Sequence, residues 1–461
     1  MIKQLRMKNI KTFGIMMAIS IISAPVSAQS IPSLQEVIDS ALVHDYNYAN
    51  KKLALEQIEL DQQKIKDAFL PRISLDAKEA YVYGATNLNI PELLIFPEYD
   101  NRYHLQGFMT QADLKASFLI FSGGKVSQMK KANAARLEAE TAMSNLDRNE
   151  IIESVLMSYD QLALLKSVKI MLDDSQKRLE ANQKQAEKAL EIGLITQSDY
   201  NKINLTVAQL ASKFQEYEGK RQLLLLNLHA MTKIDLARLE LIDEDLKILP
   251  IAYVEKPVLR NELVALDAAV RANEYKIKAA KTWWIPKIGA SASVSYMGLH
   301  DGKITSRDNM IAISKPLDHQ FNNYNVAPLV MAGVGLKWDL FDGRTGINET
   351  KQAKLDLAMA MNKQADANDK ISLQLKKNKL EAEIAQSQID IKQTALSIAE
   401  DALQQANKEY ELGLINSTEL IDAENALQNA TLEYAQAVFT QRRVAIQYLE
   451  AAGTLESTFI K

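Results

Sequence analysis

The sequence predicts a mainly α-helical chain with a transmembrane β part, built as a tandem duplication. Three observations predict it: two long stretches without glycine or proline, four segments of alternating polarity, and two motifs that each recur 220 residues later.

The first residues set the compartment. Lys3, Arg6, Lys8 and Lys11 precede an apolar run from Phe13 to Ile22, and Ala24-Pro25-Val26-Ser27-Ala28 ends in the small-x-small pattern of a signal-peptidase site. Residues 1–28 are therefore expected to be a signal peptide, and the chain to be exported. An apolar run of about ten residues is too short to span a bilayer as a helix, and no later segment offers the roughly twenty that a spanning helix needs. Membrane insertion is accordingly expected through a β-barrel. Removing four positive and no negative residues moves the formal charge from -4 to -8, so nucleic acid is not an expected partner. The chain has no cysteine, which excludes disulfides, thiolate zinc sites and a lipidated N-terminal Cys.

The long helices come next. Proline is absent between Pro97 and Pro250 and after Pro328, and glycine is absent between Gly124 and Gly193 and between Gly346 and Gly413. Both residues interrupt helices. Each glycine-free stretch could thus form a helix on the order of 100 Å long at 1.5 Å per residue. Ala134 to Glu140 is rich in helix formers, and Ile152, Val155, Tyr159 and Leu162 recur at spacings of three and four. Such helices should pack side by side as coiled-coil-like elements. A fibrous dimer would need sustained heptads, whereas here the apolar positions drift and alanine is plentiful.

The two stretches are copies. Phe121-Ser122-Gly123-Gly124 matches Phe341-Asp342-Gly343-Arg344, and Glu191-Ile192-Gly193-Leu194-Ile195 matches Glu411-Leu412-Gly413-Leu414-Ile415. Upstream, Phe69-Leu70-Pro71-Arg72-Ile73 pairs with Trp284-Ile285-Pro286-Lys287-Ile288. The expected repeats are 29–256 and 257–461, each reading helix, strand, loop, strand, long helix, turn, helix.

Strands are expected near 72–84, 110–121, 286–298 and 330–341. Ile288, Ala290, Ala292, Val294 and Tyr296 alternate with Gly289, Ser291, Ser293 and Ser295, and Val334, Leu336, Trp338 and Leu340 alternate with Gly335, Lys337 and Asp339. Glu79 breaks the apolar face of the first strand. Each segment is about the 9–11 residues that a tilted strand needs to cross a bilayer. Lipid permits no open sheet edge and four strands are too few to close. Several chains must share one barrel, and three would give twelve strands. Ala85 to Gly107 and Leu299 to Leu329, rich in Asn, Asp, Gly and Pro, read as extracellular loops.

With its duplicated strand-to-helix corners and duplicated tips, Gly193 to Asp199 and Gly413 to Glu419, the chain resembles the TolC family over nearly all of its mature length. The resemblance implies a homotrimer in the outer-membrane lipid, whose twelve-stranded barrel continues into a periplasmic α-helical barrel, with Leu236 to Pro257 in an equatorial collar. It implies a passive exit duct of a tripartite efflux or secretion pump, completed by a periplasmic membrane-fusion adaptor and an inner-membrane transporter, with no enzymatic activity and no cofactor. The alternative is a structural envelope protein that bridges the periplasm without an open channel.

The remaining chemistry is sparse. His44, His104, His229, His300 and His319 have no metal-ligand spacing, and Ser122-Gly123-Gly124-Lys125 lacks the spacing of a phosphate loop. At the tips, Thr196 with Asp199 and Asn416 with Glu419 have the spacing of capping boxes, which leaves Asp422 unexplained. By motif position the resemblance implies a periplasmic gate at Asp199, Tyr410, Glu419 and Asp422, where a ring of Glu419 and Asp422 would be open to block by cations. The apolar turns Gly193-Leu194-Ile195 and Gly413-Leu414-Ile415 are expected to dock the adaptor. Some family members carry a latching arginine where this chain has Ile415, so the closed-state latch is expected to be weaker or built from other contacts.

Overall fold

A computed structural model describes residues 30–92, 98–255, 260–310 and 313–459. The expected signal peptide lies outside the described residues, as does the 256/257 boundary between the expected repeats.

Two helices open the chain, α1 (Leu34–His44) and α2 (Tyr46–Lys66), each started by a side-chain cap. Ser33 Oγ accepts from the Glu36 amide and Asp45 Oδ1 from the Tyr48 amide. The glycine-free stretches are continuous helices of 67 residues each, α3 (Lys125–Glu191) and α7 (Thr345–Glu411). Each returns through a helix of 36 residues, α4 (Gln197–Thr232) and α8 (Ser417–Ala452). Every bound of the second pair lies 220 residues after its counterpart in the first. Between the pairs come the short α5 (Leu236–Leu239) and α6 (Asn261–Ala280), which packs on both α3 and α7; α9 (Leu455–Phe459) ends the described chain.

Towards the tips, Leu172, Leu179 and Ala186 of α3 pack against Ile203, Leu210 and Tyr217 of α4, both sets at spacings of seven. This is local coiled-coil packing. At mid-length of α3 the pattern gives way to the largest core, in which Ile152 and Val155 meet Val37, Ile38, Leu228, Leu239 and Ile446 from α1, α4, α5 and α8. The irregular segment after α5 is held to α8 by side chains that satisfy its backbone. Gln441 donates to the Leu249 carbonyl (2.7 Å) and accepts from its amide (3.1 Å), and Tyr448 Oη accepts from the Val254 amide (2.7 Å). Arg442 donates to the Lys247 carbonyl (2.8 Å) and to the buried Asp160 carboxylate (2.7 Å). Burial pushes the Asp160 carboxyl above its ordinary range, while Arg442 pulls it back.

The four strands form one antiparallel sheet in the order β1 (Arg72–Ile90), β2 (Tyr99–Phe121), β3 (Lys287–Met310) and β4 (Ile313–Lys337). Register sorts the residues by face. Leu75, Leu114, Val294 and Val330 form one cross-strand row, and Ile73, Ala116, Ala292 and Ala332 another. The intervening row, on the other face, is Ser74, Lys115, Ser293 and Met331. The first face is apolar yet open to solvent, with Leu75 70% and Val334 71% exposed. β1 and β4 each have one neighbour, so both outer edges carry unpaired backbone groups within the chain.

Three features differ from the sequence reading. The segments 85–107 and 299–329 are not loops for most of their length: the hairpins run on to Ile90 opposite Tyr99 and Met310 opposite Ile313. Their polarity marks where an apolar face is no longer required, not where the hydrogen-bond ladder stops. β4 ends at Lys337, before Trp338, because the chain turns there into the corner and Trp338 Nε1 donates to the Trp284 carbonyl (2.9 Å). Glu79 is no defect in its face. It lies 3.0 Å from His300 Nε2, beside the Tyr81–Phe108 edge-to-face pair and with Phe108 stacked on His300.

The corners after β2 and β4 are matched in role. Gly346 starts α7 so close to Trp283 that any Cβ would overlap the indole ring, and the Asp342 carboxylate accepts from the Gly346 amide (2.7 Å). At the first corner Ser122 Oγ accepts from the Val126 amide (3.3 Å). The glycine-rich segment there is a structural turn.

Candidate functional site

The far ends of the two helical hairpins are where the sequence places its candidate residues. α3 and α7 both stop in the same way. The Leu194 amide donates to the Ala189 carbonyl (2.8 Å) and the Gly193 amide to that of Leu190 (3.0 Å); in the second tip Leu414 donates to Glu409 (2.8 Å) and Gly413 to Tyr410 (3.0 Å). This doubly bonded stop needs a left-handed residue after the helix. Gly193 and Gly413 supply it, with φ of +76° and +71°, and a Cβ on either would meet nothing within 4 Å. Conformation, not space, requires glycine there.

The return helices start on caps. In the first tip Thr196 Oγ1 accepts from the Asp199 amide (3.2 Å) and donates to the Asp199 carboxylate (2.7 Å), which also takes a bond from Lys202 (3.4 Å). The Thr196 hydroxyl, with Lys202 adding to it, holds the Asp199 carboxyl below the usual carboxylate range. In the second tip Asn416 Oδ1 accepts from the amides of Thr418 (2.9 Å) and Glu419 (3.1 Å), while Glu419 Oε2 accepts from the Asn416 amide (3.1 Å). That is a complete capping box. Glu419 is therefore turned onto its own helix start, and Asp422 stands exposed one turn further on.

The tips lie side by side and share a cleft lined by Leu194, Ile195, Asp199, Tyr410, Gly413, Leu414, Ile415 and Glu419. Gly193 and Asp422 fall outside that lining. Lys202 bridges the tips, reaching Thr418 Oγ1 at 3.0 Å. Tyr410 packs with Ile415 on Leu403, Ala406 and Leu420, and burial foremost, with the charge of Asp199 second, pushes its phenol up.

The sequence reading puts all four apolar turn residues on the surface; the structure divides them. Leu194 and Leu414 are 75% and 70% exposed, but Ile195 and Ile415 are half-buried and hold the tips to the clusters beneath. Ile192 and Leu412, outside the expected docking turns, are as exposed as the two leucines. Their shared offset of 220 is the signal that could have found them.

Several turns from the tip, the hairpins are joined through a buried polar cluster. Glu424 of α8 is 2% exposed and accepts two bonds from the Arg178 guanidinium of α3 (2.9 Å each) and one from the Ser175 hydroxyl. Gln428, also buried, accepts from Lys213 of α4 (2.8 Å). The Glu424 carboxylate raises the pKa of Arg178. A carboxylate this buried is tolerable because its partners are present, and losing one partner of such a pair costs about 3–5 kcal/mol. Among the described residues no group of three or more His, Asp or Glu could hold a metal ion, and no helix is long and apolar enough to cross a membrane.

Residues 258–453 match the model of a family described as outer membrane efflux protein. No curated protein matches the sequence. Among solved structures, the CmeC outer membrane channel of Campylobacter jejuni is similar with a TM-score of 0.68 at 13% identity, covering 92% of this chain and 86% of that one. The outer membrane protein VceC of Vibrio cholerae gives 0.66 at 18% identity, covering 91% and 96%. The open state of the MtrE outer membrane channel of Neisseria gonorrhoeae gives 0.63 at 15% identity, covering 92% and 90%. The likeness is one of fold, over nearly the whole of each chain. The matched family is described by efflux, and CmeC and MtrE as outer membrane channels.

Proposed function

We propose that the chain is one protomer of a homotrimeric outer-membrane exit duct in a tripartite efflux or secretion pump, through which substrates pass passively from periplasm to exterior. The observation that carries this reading is the sheet, with an apolar face exposed to solvent, a polar face opposite and two unpaired edges. Both the face and the edges are costly in a water-soluble monomer, and both are accounted for when three copies close a twelve-stranded barrel in lipid. The long helices would then continue as a periplasmic α-barrel. In this reading residues 1–28 are the signal peptide, and 29–256 and 257–461 the two structural repeats.

The tips would dock a periplasmic adaptor beneath which an inner-membrane transporter sits. Their exposed leucines, Leu194 and Leu414, provide the apolar contact, and Ile195 and Ile415 position them. At the gate, Tyr410 and Asp199 line the cleft, and Asp422 is the acid free to face the axis. Glu419 serves the helix cap first, so cation block at the Glu419 and Asp422 level would depend mainly on Asp422. The reversal potential of Asp422→Asn channels tests this; an unchanged value would remove Asp422 from the gate. The functional test is gene deletion with complementation. Loss of the chain should sensitise cells to detergents, dyes or antibiotics. Altered cell shape or envelope integrity with unchanged export would favour a structural bridge instead.

A further inference from the structure

Basic side chains gather at the helix-side end of the polar sheet face. Arg72 opens β1, Lys287 opens β3 and Lys337 closes β4. The two-residue period puts all three on the face of Ser74, Gly289 and Gly335. They line one shallow groove. Lys287 and Lys337 are register partners, so two like charges stand directly opposite, which destabilises a strand pair. Lys337 reaches a carboxylate, that of Asp339, only at 3.9 Å, and no carboxylate among the described residues comes within 4.0 Å of Arg72 or Lys287. Further along the same face the charges balance: Asp76 opposes Asp113, with Lys78 and Lys115 beside them. Small residues share this face: Gly289 pairs with Gly335 in the row next to Lys287 and Lys337, and Ser291 pairs with Gly333 in the row of Arg72 and Ser117.

We propose that Arg72, Lys287 and Lys337 of each chain form a cationic ring at the helix-side mouth of the barrel, which attracts solutes bearing carboxylate, phosphate or sulfate groups during transit. The proposal rests on the duct reading above, because the polar face is a lumen only if the sheets of several chains close. Charge of one sign on a narrow passage with low-dielectric walls focuses the field and raises the local concentration of the opposite ion. The small neighbours widen the passage at this level, so the ring draws anions in without obstructing them.

The test is sided block of single channels in planar bilayers, with inositol hexakisphosphate as the polyanionic probe. Adding it from the extracellular side lets it meet the barrel before the tips. At about 0.1 M salt, where the Debye length is about 10 Å, the parent channel should be blocked. The concentration for half-block should rise about ten-fold or more in the triple variant Arg72→Gln, Lys287→Gln, Lys337→Gln. The difference should shrink at about 1 M salt, where the Debye length is about 3 Å. Lys337→Gln alone, at an exposed strand end, should move half-block in the same direction and covers the case of a triple variant that does not fold. A parent channel indifferent to the probe at low salt, or one blocked equally with and without these cations, overturns the ring while leaving the duct intact. A trimer that inserts but passes no current, even with the tip bridge removed by Lys202→Ala, overturns the duct reading and the ring with it.

Discussion

Val294→Arg should remove the folded oligomer from the outer membrane, whereas Ser295→Arg, one residue along the same strand, should leave it in place. Val294 sits on the apolar face in the row of Leu75, Leu114 and Val330; Ser295 is on the opposite face, paired with Asp113. Arginine facing lipid near the bilayer midplane of a barrel costs about 2–4 kcal/mol in each chain. In a symmetric assembly that cost recurs in every copy. On the polar face the same side chain meets water and a carboxylate. Heat-modifiable migration of membrane-extracted protein on semi-native gels reads the folded fraction. Equal loss, or equal tolerance, of the two variants would show that the faces are not divided between lipid and lumen.

Replacing both tip glycines with valine is expected to abolish efflux while folded oligomers persist. Both positions require φ near +70°, which a β-branched residue adopts only with strain of about 1–2 kcal/mol. The chain would relieve it by undoing the stop that aims Leu194 and Leu414 outward. Because no neighbour crowds either position, bulk by itself is not the damage. Asparagine tolerates the left-handed region, so the double Asn variant should keep most of its resistance to exported toxic compounds. Full efflux from the double Val variant would mean that the tip conformation is not part of the docking surface.

Much of this architecture is legible in the chain itself because its elements are long and its breakers few. The glycine-free stretches locate α3 and α7 to within a few residues, since a helix stop of this kind almost demands the glycine that ends each stretch. The alternation of Ile288 to Tyr296 assigns one face of β3 directly. The outer halves of the hairpins were illegible, because alternation signals a face in contact with something apolar and those segments have none. Side-chain direction at the tips was equally hidden. Ile195 turns inward and Leu194 outward through the geometry of the helix stop, although both are apolar residues at a turn. The Arg178–Glu424 pair joins residues 246 apart with no local pattern to announce it. Glu79 looked anomalous for the same reason, since its partner His300 lies 221 residues away.

In the shared barrel the sheet closes only by joining β1 of one chain to β4 of another. The chain has no cysteine, so introduced thiols report without background. Cysteines would be placed pairwise on the outer strands, at Ser74 or Asp76 of β1 and at Gly333 or Gly335 of β4, all on the polar face. Bridging needs Cα atoms within about 7 Å, so only pairs in matching register should link. Oxidation in native outer membranes is predicted to give a covalent ladder that ends at three chains. Monomers holding an internal β1–β4 bond, or ladders that run past three chains, would contradict the shared barrel.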